Sequence, residues 1–456
     1  MSKEISNSLL HLKPILAVGI ICGAGIALFP LGFLFMISGF IVFCLFLIRP
    51  GAIIPLLLIS RSSLDIFTNV GFYAGALLFN IPSLTSLFIV LGGGAYLLAS
   101  LATKKELFIG KIGKAFAFWL GSLLLWVLVA YVHFGPPGLI ALREWVRLAS
   151  LFFIYLLTAQ LAKKTGYARI INYIFWALPI PVLASFYQIF TKTGLQIAGI
   201  NRVYGTLAHP NSLAMFLVLF IGLTAWKIQT AKKNSLWICL LMIEILVLIN
   251  CYSISGILMA LIVLFVLAFA RLKRRQRGAF VFLIIIIAAV FSLTPYGRMR
   301  LDELTRTGSL SEIMYTKDIS DYSSLSWRVL NWHMLLKEWS KSPVLGFGLD
   351  TTKDLVNPWK VDAHNDYLRF LVETGIIGVT IFLCFLFVIG RELLKVYRST
   401  RESGPEFSGL SLTLFSVYFA WILGSLTGNH LAETTYQYYF WCIAGLLDTV
   451  KSPDHG

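Results

Sequence analysis

Long apolar runs broken by short polar interruptions make up most of the chain. They fall near 15–29, 31–48, 51–72, 84–102, 115–132, 148–162, 170–190, 211–227, 235–250, 254–270, 279–295, 371–390, 409–427 and 436–449. At roughly 20 residues per crossing, they predict about 12–14 membrane-spanning helices. The run at 51–72 is interrupted by Arg61 and Asp65. One polar segment, 296–370, breaks the pattern and divides the chain into a bundle (1–295), a large loop (296–370) and a second helical group with a polar tail (371–456). Within the loop, Trp327, Leu330, Met334, Leu335 and Trp339 recur at helical spacing, which predicts an amphipathic helix over 324–340. Ser342-Pro343 ends it, and Gly346-Phe347-Gly348 makes a turn. Trp327, Trp332 and Trp339 suit a helix at a membrane interface.

Composition agrees with this reading. The chain is 58% hydrophobic and 13% charged, with a mean hydropathy of +0.80; soluble domains carry about 25% charged residues. The fold expected is an all-α polytopic membrane protein. The basic residues supply orientation. Most of the 38 Lys and Arg cluster in alternate loops, such as RLKRRQR at 271–277, while Arg61, Arg143, Arg147, Lys192 and Arg202 face the other way. By the positive-inside rule both termini are cytoplasmic and the 296–370 loop is extracytoplasmic. The first nineteen residues, MSKEISNSLLHLKPILAVG, lack a small-residue cleavage site, so no cleaved signal peptide is expected. The net charge of +16 is then a topology signal and not a nucleic-acid footprint. The six cysteines lie in or at the ends of apolar runs, without a CxxC, and read as small buried side chains.

Five histidines (133, 209, 333, 364 and 430) map to the extracytoplasmic ends. His364 stands out in VDAHNDYLRFLVETGIIG, 361–378. Asp362 is a plausible helix N-cap, which would put His364 in the first turn of a helix entering the membrane. A helix N-terminus disfavours imidazolium and keeps such a ring able to accept a proton. Asp366 and Arg369 are spaced to pair on one face. In NRVYGTLAHPNSLAMFL, 201–217, Arg202 precedes a span that Pro210 opens, placed to meet a phosphate just outside the bilayer. Arg328 lies among the loop tryptophans, where diphosphate head groups would sit. Glu244 is an acid inside a span. P-loop, GxGxxG, HExxH, GxSxG and DxD patterns are missing.

In this order, RVYGTLAHPNSLA, SWRVLNWHMLLKEWSKSPVLGFGLDT and AHNDYLRFLVETGIIG resemble the O-antigen ligase/polymerase superfamily. The resemblance implies a metal-independent membrane glycosyltransferase of the bacterial inner membrane, acting on the periplasmic face. It would move an undecaprenyl-diphosphate-linked glycan as a block to a hydroxyl of a glycan or lipid A core acceptor, without a cofactor. It implies His364 as general base and Arg328 as diphosphate ligand. Arg202, His209, Asn211, Asn365, Asp366 and Tyr367 complete the candidate substrate-binding set. The family's ligases carry a second arginine in a Ser-Arg-Gly motif; here the stretch is NCYSISGILMA, with Ser255 in that place. Either Arg202 supplies the second cation, or the chain acts as a polymerase, toward which this departure leans. The competing readings are a transporter or flippase of lipid-linked sugars, a metal-dependent polyprenyl-phosphate-sugar transferase using Asp65, and a purely structural membrane protein.

Overall fold

The computed structural model describes residues 50–74, 77–104, 107–197, 199–271, 324–401 and 405–449, with Cys44, 277–278, 289, 292–293 and 298 as isolated positions. The spans expected at 15–29, 31–48 and 279–295, the first part of the large loop and the tail lie outside the described residues.

The described chain is helical. In order it runs α1 (Pro50–Ser60), α2 (Ile81–Ala102), α3 (Lys111–Phe134), α4 (Ile140–Thr165), α5 (Tyr167–Phe175), α6 (Pro179–Thr191), α7 (Pro210–Thr230), α8 (Ser235–Asn250), α9 (Ile254–Arg271), α10 (Ser324–Trp339), α11 (Asp366–Thr400), α12 (Pro405–Gly424) and α13 (Thr434–Asp448). Two short antiparallel hairpins interrupt them: β1 (Gly71–Ala74) with β2 (Leu77–Asn80), and β3 (Leu195–Ile197) with β4 (Ile200–Arg202). Among the described residues seven helices are long and apolar enough to cross a membrane, and three shorter apolar helices accompany them. The chain is thus an all-α polytopic membrane protein.

Two expected spans change shape. The run at 51–72 stops as a helix at Ser60, because Arg61 is buried and pairs with Asp65 at 2.6 Å across two short 3-10 turns. The run at 170–190 is two helices, α5 and α6, split before Pro179, where the missing N–H ends a helix.

α13 is the centre of the bundle. Tyr436, Tyr438, Tyr439, Trp441 and Cys442 point to different sides of it and all are buried, as expected of a helix enclosed all round. α4 and α7 pack against it. α10, the amphipathic helix expected at 324–340, packs on α11 instead of standing apart. Asn331 and Leu335 are its buried side, with Trp332 and Trp339 partly covered.

α11 carries a deliberate break. Gly375 has φ +62, and a Cβ there would strike the Val344 carbonyl. The break leaves backbone groups open, and the 343–348 turn fills them. Ile376 N–H donates to Pro343 O at 2.9 Å, while Gly348 N–H donates to Glu373 O at 2.7 Å and Phe347 N–H to Val372 O at 3.2 Å. Each buried peptide group so satisfied avoids a desolvation cost of about 1–3 kcal/mol. The PVLGFG and ETGIIG stretches are therefore one locked unit, which fixes the end of α10 against α11.

Candidate active site

The site forms around the start of α11. The Asn365 side chain caps that helix by accepting from Leu368 N–H at 3.0 Å. The helix thus begins at Asp366, three residues later than an Asp362 cap would place it. His364 lies just outside the first turn, with φ +50, a left-handed conformation that is unusual away from glycine. Such strain persists where neighbours enforce it, and here they do. Trp332 Nε1–H donates to Ala363 O at 2.7 Å, Asn331 Nδ2–H donates to Asp362 O at 3.0 Å, and Asn365 N–H donates to Asn429 Oδ1 at 3.1 Å. Buried Asn331 also accepts from Asn357 at 2.8 Å.

Arg328, Asn331 and Trp332 are spaced to share one face of α10. The helix that holds the backbone before His364 therefore also delivers Arg328 to it. Trp327 stands edge-on to the His364 ring, with centroids 5.6 Å apart. Burial, and then the Arg328 guanidinium, push His364 below the usual imidazole range; Lys353 adds to this and Asp362 opposes it. The ring is neutral at neutral pH. The helix-terminus argument anticipated that state, but its cause is burial and a cation.

The 201–217 motif reaches the same place. Arg202 Nε donates to Cys251 O and Nη2 to Asn211 Oδ1, each at 3.0 Å. His209 caps α7, its Nδ1 accepting from Asn211 N–H at 3.1 Å. Burial, then Arg202 and His364, push His209 down to about 4. His430, on the loop between α12 and α13, joins them. Burial pushes it down to about 4, with Arg328 and His364 adding to the effect and a hydrogen bond at Gly424 opposing it. Its Nε2 lies 3.2 Å from Ser255 Oγ. The structure thus brings together Arg202, His209, Asn211, Arg328, His364 and His430. His430 was only one of five histidines at that face in the sequence; its setting in GNH between two spans was the signal available.

Other expected residues have structural employment. Asp366 Oδ2 accepts from Ser425 Oγ at 2.8 Å and Leu431 N–H at 3.0 Å, so it staples the α12–α13 loop. Tyr367 donates to Ile422 O at 2.8 Å. The expected Asp366–Arg369 pair does not form. Arg369 turns the other way and binds Glu373 (2.9 Å), Asp350 (2.9 Å) and Glu144 (3.0 Å). Glu144 in turn holds Arg147 through two bonds, at 2.6 and 2.7 Å. Burial, with Glu144 close by, pushes Asp350 up to about 7. This network lines a cavity of about 540 Å³. Glu244 is buried in α8 and accepts from Thr224 at 2.8 Å. His133 bonds its own helix at Val129 O, and His333 is exposed.

Chemically, the cluster offers a neutral imidazole that can take a proton from a hydroxyl, beside two guanidinium groups able to hold oxyanions. Among the described residues, no group of three His, Cys, Asp or Glu side chains is placed to hold a metal ion.

Residues 237–383 match the O-Antigen ligase family; that stretch runs from α8 through α10 into α11. The chain is 26% identical over 127 residues to the "Putative polysaccharide ligase" of Rickettsia felis, covering 25% of this chain and 29% of the relative. It is 23% identical over 204 residues to a protein of the same description in Rickettsia prowazekii, covering 40% of this chain and 48% of the relative. The chain thus spans less than half the length of these curated relatives. The family match takes in the Ser255 helix, α10 and the His364 motif, and the relatives agree with it: over that stretch the chain is similar to the O-antigen ligase family.

Proposed function

We propose that the chain is a ligase-type glycosyltransferase of the inner membrane, moving a glycan from undecaprenyl diphosphate to an acceptor hydroxyl at the periplasmic face. One observation carries the reading: a neutral, strained His364 shares its surroundings with Arg328, Arg202 and two further neutral histidines. In the reaction, His364 accepts the acceptor hydroxyl's proton as that oxygen attacks the anomeric carbon of the donor sugar. The bond from that carbon to the diphosphate oxygen breaks, and undecaprenyl diphosphate leaves with the bonding pair. Arg328 and Arg202 offset the charge that grows on the diphosphate. The proton on His364 passes to solvent. Asn365 serves by capping the helix that follows the base, Asp366 by holding the α12–α13 loop, and Tyr367 by anchoring α11 to α12.

Ligase is favoured over polymerase. The lean toward polymerase rested on Ser255 standing where an arginine was expected. Arg202 is bonded to the carbonyl of Cys251, just before Ser255, so a second guanidinium stands beside that place. The family and the relatives are also described as ligases.

The test is the surface polysaccharide of a strain lacking this gene, complemented with wild type or His364→Ala and resolved on a gel. A bare acceptor with free lipid-linked polymer in the mutant supports the ligase. Acceptor carrying single repeats without a ladder makes the protein a polymerase. Normal glycan with the mutant contradicts both.

A further inference from the structure

Arg202 ends the β3–β4 hairpin, and the chain from 203 to 209 runs on to α7 without regular structure. Peptide groups in such a stretch have no ladder or helix to bond within and need other partners. Gln188, buried on α6, supplies them. Its Oε1 accepts from Tyr204 N–H and from Gly205 N–H, each at 2.9 Å, and its Nε2–H donates to Gly205 O at 2.9 Å. On the other side of Arg202, Asn201 Nδ2–H donates to the Gln188 carbonyl at 3.1 Å. One residue thus bonds the chain just before Arg202 and just after it.

The segment also fits closely against the same helix. Gly205 has φ +59, and a Cβ there would lie 2.7 Å from Pro181 O and 2.9 Å from Ser185 Oγ. Pro181, Ser185 and Gln188 are spaced to share one face of α6, and all three are buried. Further bonds pin the segment elsewhere: Val203 N–H donates to Asn250 O at 3.1 Å, and Thr206 Oγ1 donates to Ser62 O at 2.8 Å.

The three bonds of the Gln188 side chain all go to the backbone between Arg202 and His209. Arg202 then reaches Cys251 O and Asn211 Oδ1, each at 3.0 Å, which fixes the direction of its guanidinium. A group that offsets developing charge must be held to within about 0.5 Å of its working position, and functional residues on loops get such precision from the scaffold beneath them. Here the scaffold is α6, and Gln188 is its point of attachment.

We propose that Gln188 is a positioning residue for Arg202: its side-chain amide clasps the Tyr204–Gly205 backbone and so sets where the guanidinium meets the donor's diphosphate. What Arg202 does there rests on the transferase reading; whether Gln188 acts through Arg202 is tested by coupling between the two residues.

Purified full-length protein is assayed for transfer from undecaprenyl-diphosphate-linked glycan, with donor and acceptor varied in turn. The variants are Gln188→Met, which keeps the side chain's length and removes its three bonds, Gln188→Glu, Arg202→Ala and the double variant Gln188→Met with Arg202→Ala, all matched for folded amount. Gln188→Met should lower kcat/KM for the donor by about 10–10²-fold, with the acceptor KM unchanged. Gln188→Glu, which still accepts from both N–H groups, should recover part of the loss. In the Arg202→Ala background Gln188→Met should change the rate by less than about twofold, because a residue that works through another is not additive with it. The same cycle is read as affinity for undecaprenyl diphosphate, the carrier without sugar, in nanodiscs. Losses that multiply in the double variant, donor kinetics equal to wild type in Gln188→Met while Arg202→Ala is impaired, or an equal loss on the donor and acceptor sides overturns the proposal. No transfer by wild type would overturn the transferase reading alone, since the carrier-binding cycle still decides for Gln188. Wild-type transfer and carrier binding by Arg202→Ala would overturn both. If Gln188→Met fails to fold, Gln188→Asn, whose amide is one methylene too short for the clasp, takes its place in the cycle.

Discussion

Ser255 Oγ and His430 Nε2 lie 3.2 Å apart, linking the start of α9 to the loop between α12 and α13. The contact puts a neutral hydroxyl where a second arginine was expected, and it orients a ring that shares its neighbourhood with His364 and Arg328. A single neutral hydrogen bond contributes about 1 kcal/mol. Ser255→Ala should therefore lower transfer by less than about tenfold, with thermal stability nearly unchanged. Initial rates at saturating donor check this; a loss of a thousandfold would give Ser255 a role beyond orientation.

Arg328 should act twice. As an oxyanion clamp, its loss should lower kcat/KM by about 10²–10³. As a cation beside His364, it helps burial hold that imidazole below its ordinary value, so with His364 as base the wild-type rate should fall only as pH drops through that lowered value. In Arg328→Ala the imidazole rises toward its usual value of about 6.5, and the acid limb of the kcat/KM profile moves to higher pH. Arg328→Lys should restore part of the shift while recovering less of the rate. An acid limb that stays in place in Arg328→Ala would separate Arg328 from His364.

Asp366 ties the start of α11 to the α12–α13 loop. Asp366→Ala leaves the buried Ser425 hydroxyl and Leu431 N–H without their acceptor, a cost of about 1–3 kcal/mol for each group. The thermal midpoint should fall, and Asp366→Asn should fall less because an amide oxygen still accepts. An Asp366→Ala midpoint equal to wild type would show that the α12–α13 loop is held by other means.

Arg369 satisfies three carboxylates at once. Removing one partner from a buried ionic network typically costs about 3–5 kcal/mol. Arg369→Met should therefore cut the yield of folded protein in the membrane, whereas Lys341→Met, at an exposed pair with Glu338, should be silent. Fluorescence-detected size exclusion of the two variants compares them directly.

The sequence made the large elements readable and hid the pairings. α10 was legible because its tryptophans and leucines repeat at helical spacing. α11 was legible as a span, but its start was misplaced: Asp362 and Asn365 are both good caps, and only the left-handed backbone of His364 between them decides for Asn365. Arg369 had two local acids, three residues before and four after, and the pattern could not choose. The choice is made by Glu144 and Asp350, which come from distant parts of the chain. The span at 51–72 was interrupted by Arg61 and Asp65 in sequence; their mutual pairing, with Thr435 donating to Asp65 at 2.5 Å, turns that interruption into the end of a helix. His430 was one of five histidines at that face, and its setting in GNH between two spans did not single it out; its meaning comes from Ser255, Arg328 and His364 converging on it.

The central claim is that His364 takes the acceptor's proton without help from a metal. The most direct measurement is transfer of undecaprenyl-diphosphate-linked glycan to acceptor by purified protein in EDTA, with wild type and His364→Gln matched for folded amount. Wild type should transfer at its full rate in EDTA, and His364→Gln should be slower by about 10²–10⁴ with donor binding retained. Transfer by His364→Gln at the wild-type rate, or a wild-type rate abolished by the chelator, would contradict the account.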